Sequence, residues 1–195
     1  MTKPSSIPGH ISSSRLNDFL KYQDRQCYTV TGDGNCMFRG LCHQLYGNDS
    51  THMLLRYALQ EILANNVNKY SCYWMGPGLF TDHIKKLRKS GEWGTQVELQ
   101  LASDLFQICV YIASPTSEGS YRWNVFKPKT LNVSGEISSK VKPPVYPFCA
   151  TLDHHVELAH NSSKIHFDSV LPISQEGTLR SPCLHENDCG KIELD

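Results

Sequence analysis

The chain has 195 residues, long enough for one domain that buries roughly 70% of the surface its unfolded form would expose. Its 19 basic and 19 acidic side chains cancel, so no net field draws it onto nucleic acid or an anionic membrane, and neither is an expected partner. The first residues lack the apolar core of a secretory signal and no later run is long enough to cross a bilayer. The eight dispersed cysteines therefore read as free thiols of a cytoplasmic, or nuclear, protein, and the sequons at Asn48, Asn132 and Asn161 carry no meaning as glycan sites.

In chain order, residues 1–14 read as a flexible polar arm, 15–171 as one folded domain and 172–195 as a tail or linker. Leu16 to Tyr22 suggests a short helix, and Cys27-Tyr28-Thr29-Val30 a short strand. After a glycine-rich turn, Met37, Phe38, Leu41, Cys42 and Leu45 recur at helical spacing. Gly47-Asn48-Asp49-Ser50 breaks that helix, and a longer one is predicted from about Thr51 to Tyr70, with Leu54, Leu55, Ala58, Leu59, Ile62 and Leu63 as its core stripe. A third fits Asp82 to Ser90, capped by Thr81 and stopped by Gly91; its Lys85, Lys86, Arg88 and Lys89 form a solvated face. Thr95 and Glu98 make a capping box for a fourth, which turns Val97, Leu101, Ala102 and Leu105 to the core.

From Ile108 the pattern changes to strands: Ile108 to Ala113, Tyr121 to Phe126, Phe148 to Thr151, Val156 to His160 and Lys164 to Val170, with a long surface excursion over Lys127 to Pro147. The last two strands are joined by the turn Asn161-Ser162-Ser163. Helices first and strands second predict an α+β domain: helices packed on a small, mostly antiparallel sheet whose last strand meets the cysteine helix.

One segment concentrates chemistry. Thr31-Gly32-Asp33-Gly34-Asn35-Cys36 places a cysteine at the first turn of a helix, where unpaired N–H groups and the positive end of the helix dipole are expected to lower its pKa below the free value of about 8.5. Gly32 and Gly34 let neighbouring amides converge, so Asp33, Gly34, Asn35 and Cys36 are candidates to hold an oxyanion. A cysteine nucleophile needs a base, and the base an orienting group. In the last strand His166, Asp168 and Val170 share one face while Ile165, Phe167 and Ser169 share the other. His166 and Asp168 are the candidate base and its partner. His43, two turns along the cysteine helix, is too far from the sulfur to serve.

Metal chemistry fits less well. His154, His155 and His160 with Cys149 and Asp153 form one loose group with no defensible zinc spacing, and Cys183, His185 and Cys189 lack a fourth ligand, so no metal or cofactor is expected.

Asp33-Gly34-Asn35-Cys36-Met37-Phe38-Arg39 closely resembles the nucleophile motif of the ovarian-tumour (OTU) cysteine proteases, and His166-Phe167-Asp168-Ser169-Val170 resembles their histidine motif. Gly91-Glu92-Trp93-Gly94-Thr95, with Glu98, Leu99 and Ala102, is similar to the family's middle motif, in the same order. Met37 stands where leucine is more usual and Phe167 where tyrosine is; both keep an apolar body. The resemblance implies an OTU-like fold, Cys36 as nucleophile, His166 as general base, Asp168 as its orienting group and an oxyanion hole near Asp33, Gly34 and Asn35. It further implies a thiol-dependent deubiquitinase that cleaves isopeptide bonds at the C-terminus of ubiquitin, with ubiquitin or polyubiquitin as partner. The residues alone reach only a cysteine-dependent acyl transferase or hydrolase. A peptidase for another ubiquitin-like modifier and a non-cleaving ubiquitin-binding domain stay open beside it.

Overall fold

The structure is a computed structural model that describes residues 9–129, 155–161 and 166–173. The expected strand Phe148 to Thr151, the Asn161-Ser162-Ser163 turn beyond its first residue, most of the Lys127 to Pro147 excursion and the tail beyond residue 173 lie outside these.

Six helices pack on a five-stranded sheet of order β1-β5-β4-β2-β3. The helices are α1 (Gly9–Lys21), α2 (Cys36–Tyr46), α3 (His52–Asn65), α4 (Val67–Tyr70), α5 (Phe80–Leu87) and α6 (Gln96–Phe106); the strands are β1 (Arg25–Tyr28), β2 (Cys109–Pro115), β3 (Tyr121–Phe126), β4 (His155–Asn161) and β5 (His166–Pro172). All pairings are antiparallel except β2 with β4, which run parallel in the register Val110↔Val156 to Ala113↔Ala159. The α+β, mostly antiparallel expectation holds.

The alternation of β2 sorts the core into two layers. Val110 and Ile112 face a large cluster built by α2, α3, α5 and α6, including Phe38, Leu41, Leu59, Leu87 and Leu101. Tyr111 and Ala113 face a smaller cluster on the other side, where Leu16 and Leu20 of α1 meet Trp123 and Val170. A sheet covered on both faces fixes register firmly, because a slip by one residue would exchange the two sets.

Several boundaries differ from the sequence reading, each for a local reason. α1 begins at Gly9 rather than Leu16, so the arm ends earlier: no breaker separates Gly9 from Lys21, and the turn anchored by Leu16 and Leu20 propagates back toward Pro8. The helix expected over Thr51 to Tyr70 divides at Asn66, whose φ of −131° leaves the helical region while its side chain donates to the Ile62 carbonyl. α5 starts at Phe80 with Leu79 at its cap, so Thr81 lies inside it; burying Phe80 and Ile84 sets that start. The capping box at α6 is present: Thr95 Oγ1 accepts the Val97 amide, and Glu98 accepts the Thr95 amide.

Candidate active site

Cys36 opens α2 at the end of the loop that follows β1, with Asn35 at the cap position. It is buried. Its Sγ accepts the backbone N–H of Phe167 at 3.4 Å, so the sulfur lies against β5 between the two residues of the candidate dyad. His166 Nε2 lies 2.9 Å from Asp168 Oδ1, a contact that gives Nε2 the proton and leaves the Nδ1 lone pair open. The Nδ1 edge runs along the cysteine loop: a Cβ added to Gly32 would lie 3.5 Å from Nδ1 and 3.6 Å from Cε1. Asp168 Oδ1 also accepts the Val30 N–H at 3.2 Å, which ties the carboxylate to the chain just before that loop. The structure thus lays the Cys36 sulfur against the strand that carries His166 and Asp168, and pairs those two side chains on one face, as strand alternation predicted.

The expected low thiol pKa is not what the site produces. Burial is the largest influence on Cys36 and raises its pKa; the amides of Phe167, Met37 and Cys36 itself act against it, and the Asp168 carboxylate adds to it. The field at a helix start is a local effect legible in the sequence, whereas desolvation comes from tertiary packing and outweighs it here. Burial therefore disfavours the Cys36 thiolate, against the amides that favour it.

The loop in front of Cys36 is held from two sides. On the outer side Asp33 accepts Arg39 Nη2 at 2.8 Å and Arg39 Nε at 3.2 Å, while Arg39 Nη1 reaches Asp49 at 3.1 Å. The Arg39 guanidinium and the Asn35 hydrogen bonds hold the Asp33 carboxyl well below the usual range, so it stays charged and committed to the loop. Asp33 Oδ1 also accepts the Asn35 amide at 3.0 Å, which turns that N–H to the carboxylate.

On the inner side the Asn35 side chain is a hub. Its Oδ1 accepts the Gly91 N–H at 3.0 Å and Arg56 Nη2 at 2.7 Å, and its Nδ2 donates to Ser90 Oγ at 3.2 Å. Gly34 has φ +78°, and a Cβ there would lie 2.2 Å from the Gly91 carbonyl, so only glycine fits. The middle motif acts through these contacts: Gly91 carries the partner amide, and Gly94 leaves space that Met37 and Phe38 fill. Glu98 caps α6 and binds His83 Nε2 at 3.0 Å.

α2 is pinned to β5 further along, where His43 Nδ1 lies 2.8 Å from Ser169 Oγ and Gln44 Nε2 donates to the same hydroxyl at 2.7 Å. His43 stacks on Tyr28 at 3.9 Å between ring centroids. His155 pairs with Glu157, which also binds Arg25, and His160 packs on Phe167; Cys149, Asp153 and His154 lie outside the described residues. The sequence reading missed Arg56, the Val30 amide and the Phe167 amide. An arginine on the otherwise apolar face of α3 was the one visible signal.

A family model described as OTU-like cysteine protease matches residues 31–146, more than half of the chain. The chain belongs to the OTU-like cysteine proteases. That match begins at the cysteine loop and ends before His166, so the histidine strand rests on the structure described above. The OTU domain of OTUD1 superposes with a TM-score of 0.62 at 18% identity, covering 82% of this chain and 94% of that one. An ovarian-tumour domain in complex with ubiquitin superposes at 0.54 with 17% identity, covering 84% and 79% respectively. Both establish the OTU fold. Among curated proteins, ovarian tumor domain-containing deubiquitinating enzyme 10 of Arabidopsis thaliana is 34% identical over 107 residues, which is 55% of this OTU chain and 30% of that protein. The chain spans about a third or less of the length of such relatives.

Proposed function

We propose that the protein is a thiol-dependent deubiquitinase that hydrolyses isopeptide bonds at the C-terminus of ubiquitin. The observation that carries the reading is the Phe167 amide on the Cys36 sulfur, given by the residue between His166 and Asp168, whose side chains pair with each other. Membership of the OTU-like cysteine proteases, relatives named as deubiquitinating enzymes and OTU domains solved with ubiquitin support the substrate.

In this mechanism His166 Nδ1 takes the Cys36 proton as sulfur attacks the terminal glycine carbonyl. The amides of Asp33, Gly34 and Cys36 hold the developing oxyanion. His166 then gives its proton to the leaving lysine amine as the C–N bond breaks, leaving a thioester. Water attacks that thioester, giving a proton to Nδ1, and collapse returns the proton to sulfur and releases the ubiquitin carboxylate. Asp168 holds the ring in one tautomer and stabilises its charged form. A raised thiol pKa makes His166 indispensable to this cycle, because little thiolate exists at neutral pH without it. The described cysteines are all free thiols, as a reducing compartment would keep them.

Ubiquitin bearing a cysteine-reactive electrophile at its C-terminus tests the reading, with intact mass and peptide mapping as readout. An adduct on Cys36, absent from Cys36→Ala, is expected. No adduct on folded protein would discard ubiquitin as the substrate, and a panel of ubiquitin-like probes would then identify the modifier or leave a binding domain.

A further inference from the structure

Arg56 lies in the middle of α3, fully buried, yet among the described residues no carboxylate lies within ion-pair distance of it. A buried guanidinium whose nearest counter-charges, Glu98, Glu92 and Asp33, act on it only from beyond ion-pair distance is costly, so its placement needs a reason. Its donors go to oxygens instead: Nη1 to the Leu87 carbonyl at 3.1 Å, and Nη2 to the Gly34 carbonyl at 3.2 Å and Asn35 Oδ1 at 2.7 Å. The cation lies 4.1 Å from the centroid of the Phe38 ring, one turn into the cysteine helix, and Nε is buried with no hydrogen-bond partner. The charge is thus directed at the loop in front of Cys36.

What this contact controls is a peptide plane. Gly34 sits at φ +78° and has no Cβ, so the Gly34–Asn35 peptide has little steric resistance to rotation. Rotating it would swing the Asn35 amide off Asp33 Oδ1 and turn the Gly34 carbonyl away from Arg56, toward the side that the carboxylate holds. Arg56 draws that carbonyl inward while Asp33 draws the adjoining amide outward. The two pulls act on opposite ends of one plane.

We propose that Arg56 is a positioning residue for the oxyanion-binding loop: it locks the Gly34–Asn35 peptide in one orientation, so that the amides beside Cys36 keep a single arrangement toward the substrate oxygen. The assignment rests on the hydrolytic role proposed for Cys36. Arg56 makes no contact with substrate, and its effect falls on the transition state rather than on binding.

The test compares Arg56→Met, Arg56→Lys and wild type on ubiquitin carrying a C-terminal fluorogenic amide. Misplacing an oxyanion donor by about an ångström costs on the order of a hundredfold in rate. Arg56→Met is expected to lose roughly that factor in kcat with KM within about twofold, and Arg56→Lys, which keeps the charge and one donor, to recover part of it. Alkylation of Cys36 by iodoacetamide needs no oxyanion hole and should stay within about threefold of wild type in both variants. A second readout needs no substrate: the backbone amide resonances of Gly34 and Asn35, single in wild type, should double or broaden in Arg56→Met. If kcat, alkylation and melting temperature fall together, Arg56 is a structural residue and the proposal is overturned. Unchanged kcat with undivided resonances overturns it too. Wild type that is inert on the amide while Arg56→Met still splits the Gly34 and Asn35 signals would remove the ubiquitin reading and keep the lock.

Discussion

Around Cys36 the backbone is gripped by side chains drawn from α2, α3 and the turn after α5, whereas around His166 it is held by the hydrogen-bond ladder of the sheet. Asp33, Asn35, Arg39 and Arg56 make the first half a mesh of charge-assisted bonds. The second half depends on the register Cys27↔Val170 and Leu158↔Ser169, with single contacts from Val30 and Phe167 joining it to the first. A loop rich in glycine has no ladder to define it, so side chains must. A strand needs only its neighbours. Damage to the mesh should be local and graded, while damage on the strand should separate chemistry from fold, since its reacting side chains carry little of the packing.

His166→Ala breaks the symmetry between the halves most severely. With a thiol that burial keeps protonated, turnover should fall by about three to four orders of magnitude while the melting temperature barely moves. A loss below tenfold would mean that another group takes the Cys36 proton. Asp168→Ala should cost less, about ten- to a hundredfold, because a misoriented imidazole still reaches its productive pose part of the time; wild-type rates would assign the orienting role elsewhere. Asp33 is not available for it, being held by Arg39. Asp33→Asn tests the mesh instead: turnover should drop about fivefold and stability by about 1 kcal/mol, read by chemical denaturation, since this pair is partly exposed and screened.

A last effect is on alkaline stability, and it can be assigned to either half. Burial pushes the thiols of Cys42, in α2, and Cys27, in β1, up to about 12. In the unfolded chain they ionise near 8.5, so between about 9 and about 12 the unfolded state has released protons that the folded state retains. Their contribution is fully present below that window and is lost as pH rises through it. The melting temperature should fall across the window, less steeply in Cys42→Ala and in Cys27→Ala, and parallel slopes in all three proteins would contradict the assignment.

Much of this was legible in the residues because the signals are local. Thr95 and Glu98 announce a cap, the Met37 to Leu45 spacing announces a helix beginning at Cys36, and alternation puts His166 and Asp168 on one face. What escaped depends on partners distant in sequence. The parallel β2–β4 pairing joins strands far apart in sequence and is not written in either strand's composition. Arg56 reads as an ordinary helix residue until α5 and the cysteine loop close over it. The thiol pKa departs from the sequence expectation for the same reason: the helix field belongs to residues adjacent in sequence, and the burial that overrides it belongs to the whole fold.

The pairing of β1 with β5 joins positions that are synthesised far apart in time. Cys36 leaves the ribosome 130 residues before His166, a delay on the order of ten seconds at ordinary elongation rates. Through that interval the cysteine has no base, no Phe167 amide and no closed sheet, and is chemically an unremarkable thiol. On the proposed mechanism the thiol is therefore inert while the chain is being made: the last of the described strands to enter the sheet is also the one that carries its proposed base.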